Sequence, residues 1–263
     1  MKIHFREAGA GPAVLCFHSN ASTSSQWREL MERLAPRFRV IAVDQLGAGK
    51  SPDWPNGTDG WLDDDLALVA PLVESIAGPL HLVGHSYGGA LALKTALRYG
   101  ERVQSLAVYE PTLFALNYAA AQGIRDAAGD SAQAVERGDL DAAAERFLDF
   151  WMGKGAWQSI PEARRPPIAA SMRAIRYWAN ALTHDATPAS AFHALRVPVL
   201  YMVGARSPAS SLGVFEVLSK VLPEVQVVRY EKLGHMGPVT HPDVVNEDIE
   251  RFLARQLPLS SPP

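Results

Sequence analysis

Short apolar runs and longer amphipathic stretches alternate along most of the chain. Six runs rich in Val, Ile and Leu predict β-strands, and several are apolar throughout, which is typical of strands covered on both faces. These strands are predicted at residues 13–17, 39–43, 80–83, 105–109, 197–203 and 225–230. Apolar residues three to four positions apart predict helices at residues 25–35, 61–77, 87–99 and 209–222. The alternation predicts an α/β fold with a mostly parallel central sheet flanked by helices.

The alternation stops between residues 112 and 194. This region is rich in Ala and charged residues, contains no strand pattern and predicts several helices. Because the strand–helix succession resumes at Val197, we expect one domain over residues 1–263, with a helical lid inserted at residues 112–194. Residues 257–263 include three prolines and two serines and are expected to form a flexible tail.

Composition narrows the classes of function. The formal net charge of −3 supplies no basic field for nucleic acid or for an anionic membrane surface. The single cysteine, Cys16, excludes an internal disulfide framework and a cysteine-cluster metal site. No apolar run is long enough for a signal peptide core or a spanning helix. We therefore expect a cytoplasmic protein that uses no metal or cofactor and binds a small-molecule substrate. The sequence allows a homo-oligomer but does not determine the oligomeric state.

A serine on a tight turn is the strongest chemical signal in the sequence. The predicted strand 80–83 runs directly into the segment Gly-His-Ser-Tyr-Gly at residues 84–88, and a strong helix-forming stretch follows. This G-x-S-x-G pattern between a strand and a helix is typical of a nucleophile elbow, with Ser86 as the nucleophile. The turn needs neighbours without bulky side chains, and the helix N-terminus favours negative charge near the hydroxyl. The alternative is a glycine-rich turn with an incidental serine.

With these residues the chain resembles the α/β-hydrolase fold superfamily over about residues 3–253. Two more segments carry the resemblance. Residues 17–20 follow the first predicted strand, where family members begin their oxyanion loop. Residues 44–51 match the family's D-x-x-G-x-G-x-S turn after the next strand. The fold implied is an α/β-hydrolase domain with an inserted helical lid.

The resemblance also implies an oxyanion hole. Its donors would be the backbone N–H of Tyr87 and one from Ser19 or Asn20. Ser19 stands where the family usually has glycine, so its hydroxyl is an alternative donor. His18, immediately before it, is expected to shape this loop as an auxiliary residue.

His235 is the predicted general base. A serine hydroxyl needs a base to take its proton, and histidine titrates nearest neutrality. His235 lies after the last predicted strand and before a helix expected near Pro242. Because the carboxyl ends of parallel strands meet at one edge of the sheet, His235 can reach Ser86. It also matches the family's histidine position.

The acid of the predicted triad departs from the family's usual pattern. The resemblance implies an aspartate at position 207, where this chain has Ser207. Glu110 follows the predicted strand 105–109, which is where certain haloalkane dehalogenases place their acid. We therefore predict that Glu110 pairs with His235 and fixes its tautomer. The alternatives are a glutamate that only caps a turn or forms a salt bridge, and a dyad supported by Ser207.

The implied activity is that of a serine hydrolase that cleaves a small carboxylic ester through an acyl-enzyme. Aromatic residues in the insertion favour an apolar acyl group, although Phe147, Phe150 and Trp151 also fit the core stripe of a helix. Carbon–carbon bond or lactone hydrolysis is an alternative on the same residues. Two others are a cofactorless lyase or oxidoreductase, and a ligand-binding pseudo-hydrolase that lacks the acid at position 207.

Overall fold

The computed structural model describes residues 2–55 and 58–257. Within them, a seven-stranded sheet has the order β1-β3-β2-β4-β5-β6-β7, and every neighbouring pair is parallel except β1 with β3. The strands are β1 (Phe5–Ala8), β2 (Ala13–Phe17), β3 (Arg39–Val43), β4 (Leu80–His85), β5 (Val103–Tyr109), β6 (Val199–Gly204) and β7 (Val225–Tyr230). The mostly parallel sheet is confirmed, and the six predicted strands are β2 to β7.

Strand β1 is the one that the sequence pattern misses. It pairs antiparallel with β3 at the edge of the sheet. Arg6 and Glu7 are exposed there, and only Phe5 and Ala8 are partly buried. Because an edge strand in contact with solvent needs no apolar run, the hydrophobic pattern contains no signal for it.

Eleven α-helices lie in the described part of the chain. They are α1 (Arg28–Leu34), α2 (Leu62–Ser75), α3 (Tyr87–Tyr99), α4 (Gln122–Glu136), α5 (Leu140–Met152), α6 (Ala156–Ser159), α7 (Arg165–Ser171), α8 (Ile175–Thr183), α9 (Ala209–Val221), α10 (Gly237–Thr240) and α11 (Pro242–Ala254). The four helices predicted between strands are α1, α2, α3 and α9, and the helix expected near Pro242 is α11. No helix in this part is long and apolar enough to cross a membrane.

The central strands are buried on both faces, and alternate residues face different helices. In β2 and β5, Leu15 and Val108 pack into one core, whereas Cys16 and Ala107 pack into the other. Helices α2 and α3 contribute to the first core, and α1 and α11 contribute to the second. This double burial explains why these strands are apolar throughout.

Helices α4 to α8 lie between β5 and β6, and the described residues of this segment contain no strand. Helix α5 packs along α4, and α8 packs against α4. This is the region predicted as a lid, residues 112–194, and its role as a lid stays a prediction. The predicted tail at 257–263 lies outside the described residues except for Leu257.

Candidate active site

Ser86 occupies the sharp turn between β4 and α3. Its backbone has φ 57° and ψ −120°, a conformation that is costly for a residue with a side chain. A Cβ atom at Gly84 would lie 2.3 Å from the carbonyl oxygen of Gly88. One at Gly88 would lie 2.3 Å from the carbonyl oxygen of Phe17. The turn therefore needs both glycines of the G-x-S-x-G pattern, and it presents the hydroxyl at the start of α3.

The three residues predicted as a triad lie side by side at the carboxyl edge of the sheet. Ser86 Oγ is 2.9 Å from His235 Nε2, and His235 Nδ1 is 2.7 Å from Glu110 Oε2. All three side chains are buried. Since the carboxylate accepts a hydrogen bond from the Nδ1–H group, Nε2 carries no proton and can accept that of the serine hydroxyl.

Glu110 is held in place through its second carboxylate oxygen. Oε1 accepts hydrogen bonds from the Gly204 N–H at 2.7 Å and from the Ser207 hydroxyl at 2.5 Å. The backbone of Glu110 has φ 44°, a strained value for a non-glycine residue. Ser207, predicted as an auxiliary residue that could orient the imidazole, thus contacts the carboxylate instead. Ser207 occupies the position where the family's acid is expected, and it donates a hydrogen bond to Glu110, which follows the neighbouring strand β5.

Ser211 makes a further contact with the imidazole. Its Oγ, which is fully buried on α9, lies 3.2 Å from His235 Nδ1. The sequence contains no motif that marks this residue, because it is one of several small polar residues at the start of an amphipathic helix.

The predicted oxyanion donors separate into two groups. Tyr87 begins α3, so its backbone N–H has no acceptor within the helix, and Asn20 lines the same cavity as Ser86. The structure does not support Ser19 as a donor, because its N–H and its hydroxyl both donate to Gln26 Oε1, at 3.0 Å and 2.9 Å. Ser19 therefore anchors the loop, and Asn20 is the residue of this loop that reaches the cavity.

His18 shapes this loop from the inside. Its Nδ1 donates to the Ser19 carbonyl at 2.7 Å, and its Nε2 accepts from the Gln45 N–H at 3.2 Å. Burial lowers the pKa of His18 to about 4, so the ring is neutral and can both donate and accept.

Gln26 connects the loop that holds Ser19 and Asn20 to the loop that holds His235. Its amide NH2 donates to His85 Nδ1 at 3.1 Å, and His85 Nε2 donates to the backbone carbonyl of His235 at 2.8 Å. Burial is the main cause that lowers the pKa of His85 well below its usual value, so His85 is neutral and this tautomer is preserved. The sequence does not mark Gln26, which follows a Ser-rich turn before an amphipathic helix.

We expect Gln26→Met to lower kcat up to about a hundredfold, because the loop bearing Asn20 loses its anchor and oxyanion donors contribute 10²- to 10³-fold each. The measurement is steady-state hydrolysis of an activated ester. Gln45→Met is the matched control, since the side-chain oxygen of this buried glutamine has no partner among the described residues. Wild-type kcat in Gln26→Met would show that the network does not position the loop.

The side chain of Tyr87 is anchored away from its backbone N–H. Its hydroxyl donates to Asp65 Oδ2 at 2.7 Å, and the other carboxylate oxygen accepts from the Leu46 N–H at 2.8 Å. Complete burial raises the pKa of Asp65 to about 7. These contacts fix the first turn of α3 beside Ser86.

Ser86 opens onto a cavity of about 340 Å³. Helices α4, α5 and α8 form much of its wall, and its aromatic lining residues are Phe114, Phe147, Trp151 and Trp178. Of the other five aromatic residues of the segment, Tyr118 is exposed, and the remaining four pack elsewhere; they are Phe150, Trp157, Tyr177 and Phe192. Phe147 and Trp151 are therefore both core residues and cavity residues.

Comparison with known proteins gives consistent results. A family model described as alpha/beta hydrolase fold matches residues 12–242. A 2-(acetamidomethylene)succinate hydrolase of Mesorhizobium japonicum is 29% identical, with 95% of this chain and 91% of that protein covered. A pimeloyl-[acyl-carrier protein] methyl ester esterase of Chromobacterium violaceum is 27% identical, with 98% of each covered. The structure of a thermophilic esterase from Thermogutta terrifontis matches with a TM-score of 0.74 and 26% identity, covering 97% and 93% of the two chains.

Proposed function

This chain belongs to the alpha/beta hydrolase fold family and is an enzyme of the hydrolase type, and on that premise we propose that it cleaves a small, apolar carboxylic ester through an acyl-enzyme. The observation that carries the proposal is the unbroken hydrogen-bonded chain from Ser86 through His235 to Glu110, with Ser86 at an apolar cavity. Nucleophile, base and orienting acid are the groups that acyl transfer requires.

In the first half-reaction, His235 Nε2 takes the proton of Ser86 as Oγ attacks the carbonyl carbon of the ester. The carbonyl oxygen becomes an oxyanion, which the N–H groups of Tyr87 and Asn20 would stabilise. Glu110 stabilises the imidazolium and keeps its proton on Nδ1. The tetrahedral intermediate collapses when Nε2 gives its proton to the leaving alcohol, and the acyl-enzyme remains.

In the second half-reaction, water replaces the alcohol. His235 Nε2 removes a proton from that water, which attacks the acyl carbon and forms a second oxyanion. Return of the proton to Ser86 Oγ releases the carboxylic acid. Ester and water thus give alcohol and acid.

The volume of the cavity limits the size of the substrate. At roughly 30 Å³ for a water-sized atom, 340 Å³ holds about eleven non-hydrogen atoms. Its aromatic and aliphatic walls favour an apolar acyl group. The methyl ester esterase among the relatives supports ester cleavage.

A substrate with a carboxylate is a second candidate. Arg125 and Arg176 line the cavity that contains Ser86, and one of the relatives is named as a hydrolase of a substituted succinate. A guanidinium group pairs well with a carboxylate. Arg176 already pairs with the Glu136 carboxylate, whereas Arg125 donates to the neutral oxygens of Tyr118 and Gln122. Arg125 is therefore the stronger candidate for this contact, and the substrate would replace these neutral acceptors.

A panel of p-nitrophenyl esters of increasing acyl length tests the proposal. We expect the highest kcat/KM for acyl chains of about ten carbons or fewer, because longer chains exceed the cavity. Ser86→Ala is the control for non-enzymatic hydrolysis, and esters with a terminal carboxylate test the second candidate. No hydrolysis of any ester by the folded protein would overturn the proposal and favour a ligand-binding protein.

A further inference from the structure

Trp151 packs its indole flat against the imidazole of His235. The ring centroids are 3.9 Å apart, and the planes differ by 24°. The ring of His85 lies 5.3 Å from the same imidazole, while Glu110 and Ser86 occupy its two nitrogens. With Ser211, whose Oγ lies 3.2 Å from Nδ1, five side chains therefore surround the proposed base, and one of them comes from helix α5, far from the elbow in sequence.

We infer, on the basis of the function proposed above, that Trp151 is a positioning residue that stabilises the imidazolium form of His235. The imidazole becomes positive when Nε2 takes the proton of Ser86. A cation over an aromatic face is attracted to the ring, most strongly for tryptophan and within about 6 Å of its centroid. The stack thus favours the charged state through which each proton transfer passes, and it holds the plane of the imidazole.

The indole of Trp151 is itself held rigidly. Phe150 lies edge-on to it at 4.9 Å, and Phe114 is stacked with it at 6.3 Å. The turn after α5 is fixed as well, because the Asp149 carboxylate accepts from the N–H of Gly155 in that turn and from the N–H of Trp157 in α6. A side chain fixed in this way can orient its neighbour at little entropic cost.

Trp151 also separates two cavities. It lines the 340 Å³ cavity that contains Ser86 and a second cavity of about 500 Å³ that reaches His235. Arg206 and Ser207 line the second cavity as well. His235 is buried, with the indole packed on its ring, and exclusion of water strengthens the electrostatic contacts of the site.

Two titratable side chains contact the imidazole directly, Glu110 from the end of β5 and His85 from β4. The charged group of the neighbouring cavity is Arg206. All three remain in a Trp151 variant. A changed pH dependence in such a variant therefore reports the loss of the indole face.

The test compares Trp151→Leu, which removes the aromatic face, with Trp151→Phe, which keeps a smaller one. Two rates are measured against pH: labelling of Ser86 by a fluorophosphonate and hydrolysis of p-nitrophenyl acetate. We expect Trp151→Leu to lower both rates about two- to thirtyfold and to move the acid limb to lower pH. Trp151→Phe should recover most of the rate.

Trp157→Leu is the matched control, since Trp157 is a buried tryptophan of the same segment that packs beneath Arg165 and leaves His235 untouched. It should keep the wild-type acid limb. Thermal unfolding verifies that each variant is folded, and Trp151→Met replaces Trp151→Leu if leucine prevents folding.

Two results overturn the inference alone: wild-type rates and acid limb in Trp151→Leu, or equal losses in folded Trp151→Phe and Trp151→Leu. A wild-type protein that neither reacts with the fluorophosphonate nor hydrolyses the ester overturns the proposed function, and this inference with it.

Discussion

Alanine in place of Ser86 is expected to lower kcat for an activated ester by about a millionfold. The hydroxyl is the attacking atom in the proposed reaction, and among the described residues it is the one hydroxyl bonded to His235 Nε2. The proposed oxyanion donors belong to the backbone and survive the change, so catalysis of about 10³- to 10⁴-fold over water should remain. Steady-state kinetics with a p-nitrophenyl ester, on protein verified as folded by thermal unfolding, measures this loss.

Ser210→Ala is the matched control for this substitution. Ser210 is a buried serine near the site whose hydroxyl has no hydrogen-bond partner among the described residues. Its loss should change kcat less than about threefold, as expected of a substitution that removes no contact. If Ser86→Ala retained more than about a hundredth of wild-type kcat, another nucleophile would have to be found.

Glutamine in place of Glu110 is expected to lower kcat by about 10⁴-fold. The reason lies in the contacts of the carboxylate, since Oε1 accepts from the Gly204 N–H and from the Ser207 hydroxyl. The amide oxygen of a glutamine must take that side, so its NH2 group would point at His235 Nδ1. The imidazole would then have to accept at Nδ1 and keep its proton on Nε2, where it cannot remove the proton of Ser86.

Ser207→Ala distinguishes the role of the Glu110 carboxylate from that of the hydrogen bond that holds it in place. It removes one donor to Glu110 and leaves the carboxylate in place, so kcat should fall only about tenfold, the value of one hydrogen bond to a charged group. Both variants are compared by kcat on the same ester. A near-wild-type rate in Glu110→Gln would remove Glu110 from the mechanism and leave a Ser86–His235 dyad.

The fold and the three central residues follow from simple physical rules applied to the sequence. Buried parallel strands are apolar, and their carboxyl ends meet at one edge of the sheet. These two rules bring Ser86, Glu110 and His235 together although they are separated by up to 149 residues. Glu110 in particular is found because it follows a buried strand at the position where certain haloalkane dehalogenases place their acid, even though position 207 lacks the usual aspartate.

The residues that sequence reasoning misses act through contacts between distant segments. Gln26 and Trp151 each lie on an ordinary amphipathic stretch, where a polar or aromatic side chain has no distinctive pattern. Their roles depend on how helices pack over the sheet edge, which periodicity does not determine. Ser19 is the opposite case. The family resemblance of residues 17–20 implies an oxyanion donor there, but the N–H and the hydroxyl of Ser19 both donate to Gln26.

Mass spectrometry of the quenched reaction tests acyl transfer most directly. The protein is mixed with a slowly hydrolysed p-nitrophenyl ester, quenched in acid at successive times and digested. If Ser86 is the nucleophile, the peptide that contains it gains the mass of one acyl group early in the reaction and loses it as the acid is released, and Ser86→Ala shows no such gain. Steady release of p-nitrophenol with this peptide unmodified at every time point would contradict a covalent intermediate on Ser86.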